Sequence, residues 1–200
     1  PRAMTLDHSW SDQREWSRQS QLNPYWPYVP SRLVFWPDFS NRSNAAQSYI
    51  GFFSIPVFQK HLKLAADRME AGLQLYRQAA LRTPESKRAG AFREVLLAEQ
   101  LQRMMRSEHA IIAFEGLRLE LAKAADAAEK RDLLQKMTAL LQEERARTVS
   151  SLETARRDSR LGYEWEQDYV YTPDTIREKL HLIDDTLDNQ IPAYRRKNGL

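Results

Sequence analysis

The chain contains no cysteine, which excludes disulfide bridges, thiolate metal sites and cysteine nucleophiles. Glycine is scarce, with six in 200 residues, so a glycine-rich phosphate-binding loop is hard to place. No run of about 18 apolar residues occurs, so the sequence predicts no membrane-spanning helix. The net charge is only +3 and is spread along the chain, which argues against a nucleic-acid-binding surface.

Two regions of different composition follow one another. Residues 1–58 hold 12 of the 20 aromatic residues and six of the nine prolines. Proline removes a backbone donor and disfavours helix, so we expect residues 1–55 to form an irregular aromatic, proline-rich segment that packs on the rest of the chain. Residues 59–200 are rich in alanine, leucine, glutamate, lysine and arginine, which are strong helix formers, and we expect a helical bundle domain at 56–200.

Capping signals and apolar spacing divide the second region into four helices. Thr83 and Thr172 each precede a proline and an acid, which is typical of a helix start, and Asp126 with Glu129 fits a capping box. Apolar residues recur at steps of three and four, so each segment has one apolar face. We predict an all-α fold, an elongated antiparallel bundle of three long helices at 56–82, 85–123 and 127–159 plus a shorter fourth at 173–191.

The polar motifs do not assemble a catalytic or metal site. Glu178 and His181 have the i, i+3 spacing of carboxylate-bridged di-iron bundles, but no other histidine follows a glutamate by three positions. We therefore predict no metal and no cofactor. The adjacent Glu143 and Glu144 diverge by about 100° on a helix, so we expect both to be solvated rather than to form an acid–base pair.

Two aromatic clusters, at 25–39 and 163–171, are the candidate ligand-binding surfaces. Each combines rings with polar groups, so each could stack on a sugar or a peptide while its carboxylates accept hydrogen bonds. A structural anchor or plug is the interpretation that we favour for each, and the first cluster could also dock against a domain outside this chain, so these interpretations stay open. The candidate residues are Trp26, Tyr28, Trp36 and Asp38 in the first cluster, and Tyr163, Glu164, Trp165, Glu166 and Asp168 in the second.

The segment 157–195 carries RDSRLGYE at 157–164, YVY at 169–171, IREKL at 176–180 and IPAYR at 191–195. It resembles the C-terminal helical region of bacterial glycoside-hydrolase-like proteins with an α-glucuronidase-like layout, in which an all-helical region packs on a catalytic barrel. The resemblance implies a carbohydrate-processing context, with a catalytic domain of the same polypeptide as partner and a carbohydrate as ligand. It supplies no catalytic residue, because the acids of that layout lie on barrel strands.

These observations predict an accessory or interaction domain of a bacterial carbohydrate-active protein, with no complete catalytic site in this chain. Two alternatives stay open: a stand-alone bundle that binds a sugar or peptide, and a self-associating scaffold. The chain begins at Pro1 without an initiator methionine or a signal peptide, so we expect a processed or excised piece. The compartment, whether secreted, periplasmic or cytoplasmic, and the oligomeric state are left open.

Overall fold

The structure is a computed structural model and describes residues 54–162 and 172–200. Of these residues, 93% are helical and none lies in a strand, so the predicted all-α fold is confirmed. The aromatic, proline-rich segment predicted for residues 1–55 lies outside the described residues, apart from its last two positions.

Three long helices are followed by a shorter helical stretch in the described part of the chain. The first three predicted helices agree with the observed bounds to within two residues, which is the usual uncertainty of a helix end. The elements are α1 (Ile55–Arg82), α2 (Glu85–Lys123), α3 (Ala127–Arg157), a 3₁₀ turn (Ser159–Gly162), α4 (Pro173–Asp185), a π-helical turn (Thr186–Gln190) and α5 (Ile191–Asn198).

The helix starts follow the predicted caps in two of three cases. The Asp126 carboxylate accepts a hydrogen bond from the Glu129 amide at 2.9 Å, and Thr172 forms a reciprocal capping box with Thr175. Thr83 differs, because its hydroxyl donates to the Ala79 carbonyl at 3.0 Å and so completes the last turn of α1. The link to α2 has only two residues, which keeps this threonine within reach of α1.

The fourth helical stretch runs seven residues past its predicted end at 191, through a π-helical turn. Pro192 has no N–H to donate to the carbonyl four residues earlier, and its ring crowds that carbonyl. The backbone accommodates the proline by shifting register, and the Ile191 N–H bonds to the Thr186 carbonyl, five residues back. Gly199, at φ 65°, then ends α5 in the left-handed conformation that glycine adopts easily.

Neighbouring helices pack in chain order. α1 packs on α2, α2 on α3, and α3 on α4. The links at 83–84 and 124–126 are too short for anything but antiparallel neighbours. Two ion pairs join α1 to α2 in that orientation, Asp67 with Arg106 at 2.6 Å and Arg77 with Glu99 at 2.8 Å.

The buried face of α3 changes character along its length. Its first half buries Leu133, Leu134, Met137 and Leu141, as the apolar spacing predicts, in a core that includes Ile111 and Phe114 of α2 and Ile183 and Ile191 from the C-terminal stretch. From Glu144 onward it buries mainly polar side chains, which are Glu144, Thr148, Ser151 and Thr154. A buried polar group needs a hydrogen-bonding partner. The second half of α3 therefore requires specific hydrogen bonds, whereas the first half requires only side chains that pack together in shape.

Candidate functional site

A buried cluster of charged and polar side chains joins three helices at one point. Lys179 of α4 donates to the Ser107 hydroxyl of α2 at 2.9 Å and also contacts the Glu144 carboxylate of α3. The Ser107 hydroxyl donates to the same carboxylate oxygen, Oε1. The other oxygen, Oε2, accepts a hydrogen bond from the Arg147 guanidinium at 2.9 Å. Both oxygens of Glu144 are therefore satisfied inside the bundle.

The electrostatics of the cluster favour the charged form of Glu144. The side chains of Glu144 and Lys179 are only 1% and 5% exposed. Burial raises the pKa of Glu144. The charges of Lys179 and Arg147 and the hydrogen bonds from Lys179 and Ser107 lower it, and together they outweigh the effect of burial, so that the pKa lies below the ordinary value. Glu144 is therefore an anion at neutral pH, held between two cations.

The same geometry decides against nucleophilic chemistry at Ser107. A lysine 2.9 Å from a serine hydroxyl matches the distance required of a nucleophile and its base. A base must have a free lone pair, however, and Lys179 is ion-paired with an anionic carboxylate. Glu144 is itself a weak base because its pKa is lowered. What the arrangement does is hold α2, α3 and α4 in register.

The expectation that Glu143 and Glu144 are both solvated is wrong for Glu144. The Glu143 side chain is 67% exposed, whereas that of Glu144 is 1% exposed. The two carboxylates diverge as predicted, but Glu144 follows Leu141 by three positions and precedes Thr148 by four, so it lies on the buried stripe. Lys179 occupies the equivalent place in α4, between Ile176 and Ile183. A charged residue in register with an apolar stripe is the sequence signal that could have revealed both.

The other sequence-predicted polar residues divide between solvent and the part of the chain that is not described. Glu178 and His181 are both exposed on α4, one position before and two positions after the buried Lys179. Within the described ranges, no group of three or more acidic or histidine side chains is placed to hold a metal ion. The candidate ligand-binding residues Trp26, Tyr28, Trp36, Asp38, Tyr163, Glu164, Trp165, Glu166 and Asp168 lie outside the described residues.

A second feature of the bundle is an apolar surface on α1. Val57, Leu64 and Leu75 are exposed, and at 100° per residue they fall within about 20° of one another around the helix. The buried residues of α1 lie on the opposite side, against α2. Beside Leu75 is an apolar groove of about 490 Å³, whose lining is Met69, Gly72, Leu73, Leu75, Tyr76, Ala79 and, from α2, Ala98. We call the exposed stripe and this groove together the apolar face.

Small side chains explain why the groove exists. Gly72 and Ala79 leave space where α1 would otherwise carry larger side chains, and a Cβ atom added at Gly72 would meet nothing within 4 Å. Leu75 stands at the edge of this space and is 68% exposed. Single exposed leucines are common on protein surfaces, but an exposed leucine at the edge of an apolar groove belongs to the kind of patch that marks a contact site.

No family model matches the chain, and no curated protein or solved structure matches it either. The resemblance of 157–195 to glycoside-hydrolase-like proteins therefore stays a prediction. In the described part of the chain, no helix has both the length and the apolarity needed to cross a membrane.

Proposed function

We propose that this bundle is an interaction module whose apolar face is covered by an apolar polypeptide segment, either of this chain or of a second copy of it. The observation that carries the proposal is the placement of Leu75, which is 68% exposed at the edge of an apolar groove. Leaving such a surface in water costs roughly 25 cal/mol for each Å² of apolar area, which a bound segment would recover.

The buried cluster supports the same proposal in another way. An ion pair between α3 and α4 that also contacts α2 admits few alternative packings, because each displaced charge would be left unpaired inside the bundle. The helix on which α1 packs, α2, is thereby held in one arrangement with α3 and α4. A rigid surface loses little conformational entropy when a partner binds it.

The finer proposal is that the module is an accessory domain of a bacterial carbohydrate-active polypeptide, with the catalytic domain of that polypeptide as a further partner. Its support is the resemblance in residues 157–195. The mass of the native polypeptide in its source cells decides this: a band much larger than the 23.4 kDa of this chain supports it, and a band at that mass contradicts it.

The interaction proposal predicts that Leu75→Ala destabilises the full chain by about 2 kcal/mol, the cost of losing a covered leucine side chain. The matched control is Val149→Ala on α3, because Val149 is also apolar and is 40% exposed. We expect the control to change the free energy of unfolding by no more than about 0.5 kcal/mol, as surface substitutions do. Urea unfolding measures both, and equal small losses for the two variants would contradict the proposal.

A further inference from the structure

We infer that the segment held on the apolar face is residues 24–36 of the same chain. This inference rests on the proposed function and names its partner. Residues 24–36 lie outside the described residues, so the inference depends on the shape and chemistry of the face that is described, and on the sequence and attachment point of the segment.

The apolar face begins where the N-terminal residues join the bundle. Val57 lies three residues after Ser54, the first described residue, and Leu64 and Leu75 continue the same stripe along α1. This side of α1 therefore leads from the junction toward the groove, with the exposed Arg68 between Leu64 and Leu75. A chain that leaves α1 at its N-terminus and folds back along the helix passes over these side chains in order.

The length of chain is sufficient for this path. Gly72, in the middle of the groove, lies about 27 Å along α1 from Ser54 at 1.5 Å per residue. Residue 36 is 18 positions before Ser54, and this connection can span up to about 60 Å when extended. Residues 24–36 therefore reach the groove with chain to spare.

The composition of residues 24–36 fits an apolar face on a helix. The segment PYWPYVPSRLVFW contains five aromatic rings, and Arg32 is its one charged residue. Prolines at 24, 27 and 30 favour an extended backbone and remove three N–H donors that α1 could not satisfy, since the carbonyls of a helix interior are already bonded. Aromatic rings on such a rigid backbone bury large areas at little entropic cost.

The other aromatic segment fits less well. Residues 163–171 contain Glu164, Glu166 and Asp168 among nine residues, and three carboxylates would lose hydration on an apolar surface without a cation in the groove lining to pair with. A second copy of the chain is the other alternative. It would have to place its own apolar face against this one, in competition with residues 24–36, which are tethered to the bundle and therefore present at high effective concentration. The crosslinking experiment below would detect either residues 163–171 or a second copy on the apolar face.

The test is site-specific photocrosslinking in the full chain. The photoreactive residue p-benzoylphenylalanine replaces Leu75 in one sample and Val149 in the control. We expect the sample labelled at position 75 to give an intramolecular crosslink of monomer mass, mapped by mass spectrometry to residues 24–36. Its yield should exceed that of the control by at least about tenfold, which corresponds to a covered state favoured by 1.4 kcal/mol.

Three results would overturn the inference. They are crosslinked dimers, crosslinks from position 75 that map outside residues 24–36, and a yield no higher than that of the control. The first two leave the proposed function standing with a different occupant, provided that Leu75→Ala is destabilising. A loss of stability no larger than that of Val149→Ala would instead remove the proposed function itself, so the two failures are distinguishable.

Discussion

Lys179→Met should lower the free energy of unfolding by about 3–5 kcal/mol, the cost of leaving one charge of a buried ion pair without its partner. Methionine nearly matches the length of the lysine side chain, so the packing around Ile176 and Ile183 should survive. What is lost is the ammonium that neutralises Glu144 and bonds Ser107. Arg147 would remain as a partner of Glu144, but it contacts only one carboxylate oxygen. Urea unfolding followed by circular dichroism measures the loss.

Two control variants separate the buried charge from other effects. Arg145→Ala removes an ion pair with Asp184 that also joins α3 to α4, at 2.6 Å, but its two side chains are 48% and 36% exposed and so partly solvated. We expect a loss of at most about 1 kcal/mol there. The double variant Glu144→Leu with Lys179→Met removes both charges, and such replacements range from neutral to stabilising by about 1–4 kcal/mol. A loss for Lys179→Met no larger than that for Arg145→Ala would mean that the cluster does not hold the helices.

Acidification should destabilise the bundle through the same carboxylate. The pKa of Glu144 is lowered in the folded protein from its ordinary value of 4.5, so the folded state holds its proton less tightly than the unfolded state does. The stability that Glu144 contributes is therefore fully present above pH 4.5 and is lost as the pH falls below that value toward the folded pKa. Unfolding measured from pH 6 down to pH 3 should show this loss.

The double variant is also the control for the pH dependence. Asp67, Asp126, Asp158 and Asp185 have lowered pKa values too, from hydrogen bonds that the double variant leaves intact, and they destabilise both proteins in acid. Only the wild-type chain carries Glu144, so its stability should fall more steeply below pH 4.5 than that of the double variant. Parallel pH profiles for the two proteins would contradict an ionised Glu144 in the fold.

The helices could be predicted from the sequence because their signals are local. The capping residues Asp126 and Thr172 act within one turn, and the apolar positions of α3 at 134, 137 and 141 are all buried as their spacing predicts. The π-helical turn follows from Pro192 only once the helix is known to continue past it, which is why the predicted end fell at 191. Local sequence signals therefore predict where a helix starts better than they predict whether a helix ends at a proline or continues past it.

The pairing within the buried cluster could not be predicted in the same way. Glu144 and Lys179 are 35 positions apart, and each is a residue type that is rarely buried unless it is paired. The place of each residue on an apolar stripe indicates that it is buried, but which residue pairs with it depends on how three helices pack. The exposure of Tyr76 has a similar origin. Tyr76 follows Leu73 by three positions, a spacing that predicts a place on the apolar face of α1, yet it is 42% exposed because α1 packs mainly against a single helix, α2, within the described ranges.

The reaction rate of a thiol at position 75 is the measurement that tests most directly whether the apolar face is a contact surface. The chain has no cysteine, so Leu75→Cys and Val149→Cys each carry a single thiol for reaction with iodoacetamide. The bundle alone leaves Leu75 more exposed than Val149, 68% against 40%. If the face is covered, the thiol of Leu75→Cys reacts at least about tenfold more slowly than that of Val149→Cys, because it reacts only when the face opens. Equal or faster reaction at position 75 would contradict the account.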